Sequence, residues 1–472
     1  MHADTFVIPE SEVLRRRDMR DAFTFTIDPA EAKDFDDAIS FMPAEDGLYQ
    51  VGVHIADVTY FVQPGSELDQ RAYDLGTSTY LVDRVIPMLP EELSNGLCSL
   101  RPGEDKLCMS VIFTLTHDAR VVKYKVCRTV IRSDFRLAYE QAQAIIMNRP
   151  CPEADSPQLT EAIKALHLMA VILRRQRMEA GALEIEQEEI KFKLDEHGHP
   201  VDIWFQKPME ANHLIEEFML LANRTVATHI GRTGKEIIYR VHDKPNEEKL
   251  ASLRRFSKRM GDKLLPETKD MLTVRAMAKA VYSTHNIGHY GLAFDYYTHF
   301  TSPIRRYPDM MVHRLVAQLI LGERVKNKGL QIDAEEACDH CSAMEQQATQ
   351  NERDSIKEFQ ILWMQDHIGE ESDGVITGVQ EFGLFVRLEG SHAEGLVPIR
   401  TICPEQYLQL DERNYCLRTR PAPRTRRGHI KEEEKEYTFT LGDRVRVKIV
   451  RADLERRQID FSLILPSCAS DC

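Results

Sequence analysis

The sequence is short of several things. Its ten cysteines are scattered without the spacing of a disulfide framework, and residues 1–20 hold no apolar run of the kind a secretory signal needs. A reducing compartment, the cytoplasm, is the expected home. No apolar stretch is long enough to cross a bilayer, and the best, Met310 to Leu321, is interrupted by His313 and Arg314. No internal repeat or long low-complexity tract is present. Cys338 and Cys341 form a C-x-x-C around His340, but without a second pair a structural zinc would lack ligands. Basic residues are outnumbered, 61 Lys and Arg against 75 Asp and Glu, and the resulting charge of −14 argues by itself against a polyanionic partner.

What is present describes a folded, water-soluble chain. The 472 residues are 43% apolar and 29% charged, which excludes wholesale disorder. At roughly 150 residues per domain they allow two to four folding units. Phe23, Phe25 and Ile27 alternate along a strand that runs into Asp28, and β-rich runs continue to about Arg132 between Pro- and Gly-containing turns. From about Leu137 to Ala180 the pattern is helical. Leu214, Phe218 and Leu221 mark one face of a further helix, read as core packing. Pro308 lies in the first turn of a helix opened by "HFTSPIRRY", and another helix is expected from about Ala334 to His367.

Beyond Gly369–Asp373 the pattern switches to short strands: "DGVITGVQEFGLFVRL", "EGLVPI", "DRVRVKIVRAD" and "QIDFSLIL". That set suits a five-stranded oligonucleotide-binding barrel. Between its strands, Arg413, Arg418, Arg420, Arg424, Arg426, Arg427 and Lys431 follow one another with no acidic residue among them, a cationic loop on an acidic protein. Val445, Val447 and Ile449 alternate with Arg444, Arg446 and Lys448, so one strand face would be basic and able to track phosphates.

The chemistry concentrates in "FTIDPAEAKDFDDAIS". A strand delivers Asp28, and after a short turn Asp34, Asp36 and Asp37 follow within four positions. Unpaired, these carboxylates would repel and their pKa values would rise; a hard divalent cation such as Mg²⁺ among their oxygens removes that cost. Asp36 and Asp37 point differently, so one is able to bind metal while its neighbour orients water. Most Asp-rich stretches are solvated turns. Here Phe25, Ile27, Phe35, Ala38 and Ile39 would pull the turn inward. An EF-hand is excluded by the missing Gly and terminal Glu.

"TIDPAEAKDFDDA", "VGVHIADVTYFV", "VIPMLPEELSNGLCSL" and "HFTSPIRRYPDMMVHR", in that order, closely resemble the RNB catalytic domain of the ribonuclease R and ribonuclease II family. The strands from about Gly374 to Leu465 look like the S1-type barrel that follows it. The resemblance implies an α+β protein in which a catalytic domain, a mixed sheet or barrel core packed with helices, precedes a five-stranded OB-fold. The expected boundaries are a linker over 1–20, the RNB domain over 21–368, the S1 domain over 369–466 and a tail over 467–472. It further implies a 3′ to 5′ exoribonuclease that releases nucleoside 5′-monophosphates from single-stranded RNA, with two Mg²⁺ ions across the terminal phosphodiester, one lowering the pKa of the attacking water and one stabilising the departing 3′ oxygen.

Carried over position by position, Asp28, Asp34, Asp36 and Asp37 would be the metal-binding and catalytic carboxylates. Tyr80, in "TSTYLVDR", would stack on the terminal base, or else be an ordinary strand tyrosine. Arg305 would grip the phosphate beside the cleaved bond, with Arg306 as the second candidate and an ion pair as the fate of at least one of them. Glu352, in "NERD", matches an active-site position or is a helix surface charge. His54, in "VHIAD", reads as a structural hydrogen-bonding residue.

In the barrel, Phe382 and Phe385 resemble an aromatic platform for bases. One of them is expected in the core, because residues three apart on a strand face opposite ways unless Gly383 makes a bulge. Asp453 and Arg457 match further surface positions. The family often carries His in "GLVH", where this chain has Pro398, which puts that contact in doubt. Relatives usually carry cold-shock-type barrels ahead of the catalytic domain, whereas about 20 residues precede it here, so the reading is of a shortened member or a fragment. The expected partner is single-stranded RNA, with no membrane and no obligate assembly, hence a monomer. Two other classes compete: a non-catalytic RNA-binding protein on an RNB scaffold, and a phosphodiesterase acting on small nucleotides.

Overall fold

The computed structural model describes residues 8–465, apart from 153–154, 184–187, 249–250, 252–254, 256–257, 259–276, 324–332, 404–406, 412–413 and 420–435. The first part of the chain forms β1 (Arg17–Asp18), β2 (Thr24–Asp28), β3 (Asp37–Pro43), β4 (Tyr49–Ala56), helix α1 (Glu67–Leu75) and a small ribbon of β5 (Thr79–Tyr80) and β6 (Val85–Ile86). The long β7 (Asp105–Leu115) and β8 (Val121–Arg132) and the short β9 (Phe135–Ala138) follow. Seven of these strands build one sheet in the order β1-β8-β7-β4-β3-β2-β9. It is antiparallel except where β1 meets β8 and β9 meets β2.

Both faces of this sheet are covered, and its central strands show it. In β4, Val51, Val53 and Ile55 are fully buried, yet His54 on the opposite face is fully buried too. The His54 ring lies between two hydroxyls, Nδ1 2.8 Å from Ser110 Oγ and Nε2 2.9 Å from Ser40 Oγ, so both ring nitrogens are satisfied. Gly52 makes room for it: a Cβ there would stand 2.4 Å from His54 Nε2 and from Ser40 Oγ. His54 is structural, as its place among apolar neighbours indicates.

Helices α2 (Tyr139–Ile146), α3 (Pro157–Glu179) and α4 (Glu210–Gly231) come next. The helical pattern expected from Leu137 begins later, because Leu137 pairs with Ile27 in the parallel β2–β9 ladder and the helix starts only at Tyr139. Helix α3 opens on Ser156, whose hydroxyl accepts the Leu159 N–H, with Pro157 in the first turn. On α4, Leu214 and Phe218 are buried, while Leu221 is only half-buried. A hairpin of β10 (Glu189–Leu194) and β11 (Pro200–Gln206) separates α3 from α4. After the β12 (Tyr239–Val241) and β13 (Val281–Ser283) pair come α5 (Tyr307–Leu319), with Pro308 in its first turn, and the long α6 (Ala334–Gln365).

The C-terminal unit is a closed five-stranded barrel in the order β14 (Glu371–Gln380), β15 (Gly383–Leu388), β16 (Glu394–Pro398), β21 (Gln458–Ile464) and β20 (Arg444–Asp453). The four strand-rich stretches of the sequence supply these five strands. Between β16 and β20 lies a separate sheet, β17 (Leu408–Asp411), β18 (Cys416–Thr419) and β19 (Thr438–Thr440), which the sequence pattern did not indicate. Of the seven expected loop cations, Arg418 sits in β18, paired with Asp411 at 2.6 Å; Arg413, Arg420, Arg424, Arg426, Arg427 and Lys431 lie outside the described residues. The two units share a helix. Ile361 and Met364, near the end of α6, are fully buried in the barrel core, so the barrel is fastened to the catalytic unit by continuous helix.

Candidate active site and nucleic-acid interface

The aspartates are gathered by the inward pull of their apolar neighbours. Phe25, Ile27, Phe35, Ala38 and Ile39 are all buried, and the turn between β2 and β3 is drawn down with them. Asp28 ends β2 and Asp37 begins β3. Arg136, beside them on β9, donates from Nη2 to the Pro29 and Ala30 carbonyls at 2.7 and 2.8 Å and so fixes the turn that leads to Asp34. Asp36 is 5% exposed, and its Oδ1 accepts the Ile304 N–H at 2.8 Å. Asp28 Oδ2 is buried without a hydrogen-bond partner.

Burial pushes all four carboxyls above the usual carboxylate range. The neighbouring aspartate charges add to this at Asp28, Asp36 and Asp37, and Arg305 opposes it at Asp34, Asp36 and Asp37. The cluster is therefore short of positive charge. Among the described residues no three His, Cys, Asp or Glu side chains converge closely enough to hold a metal ion as placed. The donor set nevertheless fits a hard divalent cation: all oxygen, mutually repelling, with one buried oxygen unpartnered.

A second segment closes the site from the other side. The Ser78 N–H and the Thr77 hydroxyl both donate to the Arg305 carbonyl at 3.0 Å, and the Tyr307 N–H donates to the Gly76 carbonyl at 3.0 Å. This stitching carries Tyr80 and Arg305 to the same place although they are far apart in sequence. Tyr80 is 40% exposed and its hydroxyl pKa is raised by burial and by the Asp34, Asp36 and Glu352 charges, against Arg305. Its backbone N–H donates to Glu352 Oε1 on α6 at 3.1 Å, and the Val82 N–H donates to Ser355 Oγ at 3.1 Å. Glu352 thus holds the Tyr80 backbone.

The two arginines have different surroundings. Arg305 has a side chain 42% exposed, with Nε 3.7 Å from Asp36 Oδ2 and Nη2 donating to Ser302 Oγ at 3.2 Å. Arg306 is half-buried, and its Nη2 donates to Asp309 Oδ1 at 2.8 Å, an oxygen that also accepts the Ser302 N–H at 2.7 Å. Both therefore make an ion pair, Arg305 a long one with Asp36 and Arg306 a close one with the fully buried Asp309, so neither is the surface pair expected of at least one of them.

The sequence did not reveal Tyr139. It follows directly after Ala138, which pairs with Asp28, and its hydroxyl pKa is raised by burial and by the Asp37 and Asp28 charges. Only the parallel β2–β9 pairing brings it there, and no local pattern encodes that pairing. Tyr139, Tyr80, Asp34 and Glu352 line one cavity of about 1510 Å³, which extends to the β10–β11 hairpin.

On the barrel, Phe382 and Phe385 are neighbours, with ring centroids 6.0 Å apart and planes at 89°. The expectation that one is core does not hold: Phe382 is 55% exposed and Phe385 half-buried. The opposite-face argument fails because Phe382 belongs to the turn before β15, the hairpin register being Gln380 opposite Gly383. Gly383 permits that turn, since a Cβ there would lie 2.2 Å from the Val397 carbonyl oxygen. The basic strand face is partly neutralised: Arg444 pairs with Glu389 at 3.5 Å and Arg446 with Glu371 at 3.2 Å, both on the surface, while Lys448 is exposed. Asp453 accepts the Arg456 N–H at 3.0 Å, and Arg457 reaches Asp354 on α6 at 3.2 Å.

Comparison with known proteins agrees with this architecture. The RNB domain matches residues 16–322 and the S1 RNA binding domain residues 365–464. The chain belongs to the RNB family, with an S1 domain following the catalytic one. Ribonuclease R of Aquifex aeolicus is 40% identical over 97% of this chain and 66% of that protein, and ribonuclease R of Escherichia coli is 34% identical over 97% and 58%. The chain thus spans less than two thirds of the length of these relatives. Among solved structures, Mycoplasma genitalium RNase R in complex with ribose-methylated single-stranded RNA superposes with a TM-score of 0.88 at 27% identity, covering 98% of this chain and 74% of that one.

Proposed function

We propose that the protein hydrolyses single-stranded RNA from its 3′ end and releases nucleoside 5′-monophosphates, with Mg²⁺ as cofactor. The observation that carries this is the gathering of four charge-deficient aspartates, Arg305 and Tyr80 from distant parts of the chain, with Asp34 and Tyr80 lining one large cavity. Support comes from relatives named ribonuclease R and from the likeness to an RNase R bound to single-stranded RNA.

Asp28, Asp34, Asp36 and Asp37 would hold the metal, which when bound supplies Lewis acidity and a more acidic water. The chain's own residues do the rest. The exposed head of Arg305 offers a planar donor fork to the phosphate and offsets charge developing on its oxygens. The exposed Tyr80 ring stacks on the terminal base, its backbone held in place by Glu352. The Ile304 N–H fixes one Asp36 oxygen and leaves the other facing Arg305. The barrel grips the strand upstream through Phe382, Phe385 and the exposed Lys448, with Arg444, Arg446, Asp453 and Arg457 in supporting places, while the half-buried Arg306 of the catalytic unit steadies the loop that carries Arg305.

The test is incubation with 5′-labelled single-stranded RNA, Mg²⁺ and no other nucleotide. Stepwise shortening from the 3′ end with nucleoside 5′-monophosphates as product supports the proposal. RNA bound but left whole would favour the non-catalytic alternative, and cleavage confined to dinucleotides the phosphodiesterase.

A further inference from the structure

The β10–β11 hairpin has an apolar and a polar face, set by the two-residue strand period. Ile190, Phe192, Ile203 and Phe205 share the first. It is packed: Phe192 lies 5.8 Å from the Phe359 ring of α6, and Phe205 lies 3.9 Å from the His392 ring of the barrel. The second face carries Glu189, Lys191, Lys193, Asp202 and Gln206, a wet surface by composition. In its middle stands Trp204, opposite Lys191 and 44% exposed.

A tryptophan on the polar face of a ribbon already anchored by its other face is not needed to anchor it, and 44% of its surface meets water. Its place explains it. Trp204, Lys191 and Gln206, together with the edges of Ile190 and Phe192, line the same cavity as Asp34, Tyr80 and Glu352. Acidic and basic side chains on the cavity wall are nearly equal in number, so phosphate attraction alone gives a strand little hold there. A flat ring supplies a different hold, a π-face for a base; the neighbouring Lys191 is paired with Glu189 at 2.8 Å, so the stack and not the charge carries the contact.

The geometry points to Trp204 as a stacking platform for bases of single-stranded RNA on the way to the aspartates, a positioning residue upstream of Tyr80. This deepens the nuclease reading and rests on it. A ring face stacks on any base, and the platform acts only on strands long enough to reach from the aspartates to the hairpin.

The chain has two tryptophans, and the other, Trp363, is stacked on His367 at 3.7 Å in α6. In a Trp363→Phe protein, emission therefore reports Trp204 alone. Adding a 12-nucleotide single-stranded RNA in EDTA is expected to quench that emission, and a trinucleotide to leave it unchanged. Trp204→Ala is expected to weaken 12-mer binding about 10-fold, the order of one lost stack, with Trp204→Phe keeping most of it and trinucleotide turnover in Mg²⁺ untouched by either. Unchanged emission on saturation with the 12-mer, or equal 12-mer affinity in Trp204→Ala, overturns the inference. The nuclease reading fails separately: quenching without release of mononucleotides would leave the platform standing and remove the catalysis.

Discussion

Glu352 Oε1 accepts the backbone N–H of Tyr80 at 3.1 Å, so a carboxylate on α6 holds in place the ring that closes the site. Tyr80 sits in a two-residue strand, too short to hold itself rigidly. Replacing Glu352 by Ala is expected to lower turnover by up to about 100-fold, as a misplaced contact does, and to lengthen the final product. Glu352→Gln keeps an acceptor oxygen and should restore most of both. Product sizing on a gel beside melting curves checks this; equal products from all three proteins would remove Glu352 from the account.

Arg305 and Arg306 should fail in different ways. Arg305 is partly exposed beside Asp36, so Arg305→Ala should cost about 100- to 1,000-fold in turnover with little change in stability. Arg306→Ala leaves Asp309, fully buried, without its cation. Loss of one partner of a buried pair costs about 3–5 kcal/mol, and urea unfolding measures it. A reversed pattern would reassign the phosphate contact to Arg306.

Acid should remove the stability that His54 contributes to the sheet, while the aspartates, whose pKa values are raised, act in the opposite direction, so the His54 share is read as a difference between two proteins. Burial holds the His54 imidazole down to about 3, against an ordinary 6.5. The unfolded chain therefore takes up a proton at His54 below pH 6.5 while the folded chain does not. The stability this residue contributes is complete above pH 6.5 and declines as pH falls towards 3, at about 1.4 kcal/mol per unit. His54→Asn should be less stable at pH 8 and show a shallower decline between pH 6 and pH 4, measured by urea unfolding at each pH. Parallel declines in the two proteins would contradict the burial argument.

The sequence carried some of this more plainly than the rest. The barrel strands were legible because each is short, alternating and bounded by turn residues, and the Asp28–Asp37 cluster because its apolar flanks dictate burial. Tyr139 was not legible, since a parallel ladder between β2 and β9 brings it to Asp28 and such pairing leaves no local trace. The difference between Arg305 and Arg306 was hidden in "IRRY": Asp309, in the first turn of α5, pairs with Arg306, while Arg305 is left partly exposed beside Asp36. Phe382 was misjudged by strand periodicity because it sits in a turn, where that periodicity has no meaning. The β17–β19 sheet was hidden by a cation-rich sequence that reads as loop.

Four crowded, mutually repelling aspartates, Asp36 buried and the other three half-buried, are there to be neutralised by a divalent cation. Thermal unfolding of the wild type and of Asp36→Asn, each with Mg²⁺ and with EDTA, tests it without any substrate. The amide oxygen of Asn can still accept the Ile304 N–H, so the fold is preserved. In EDTA the Asn protein should melt at or above the wild type, because one uncompensated charge is gone; in Mg²⁺ the wild type should gain several degrees and the Asn protein little. A wild type indifferent to Mg²⁺, or an Asn protein that melts well below it in EDTA, would contradict the claim.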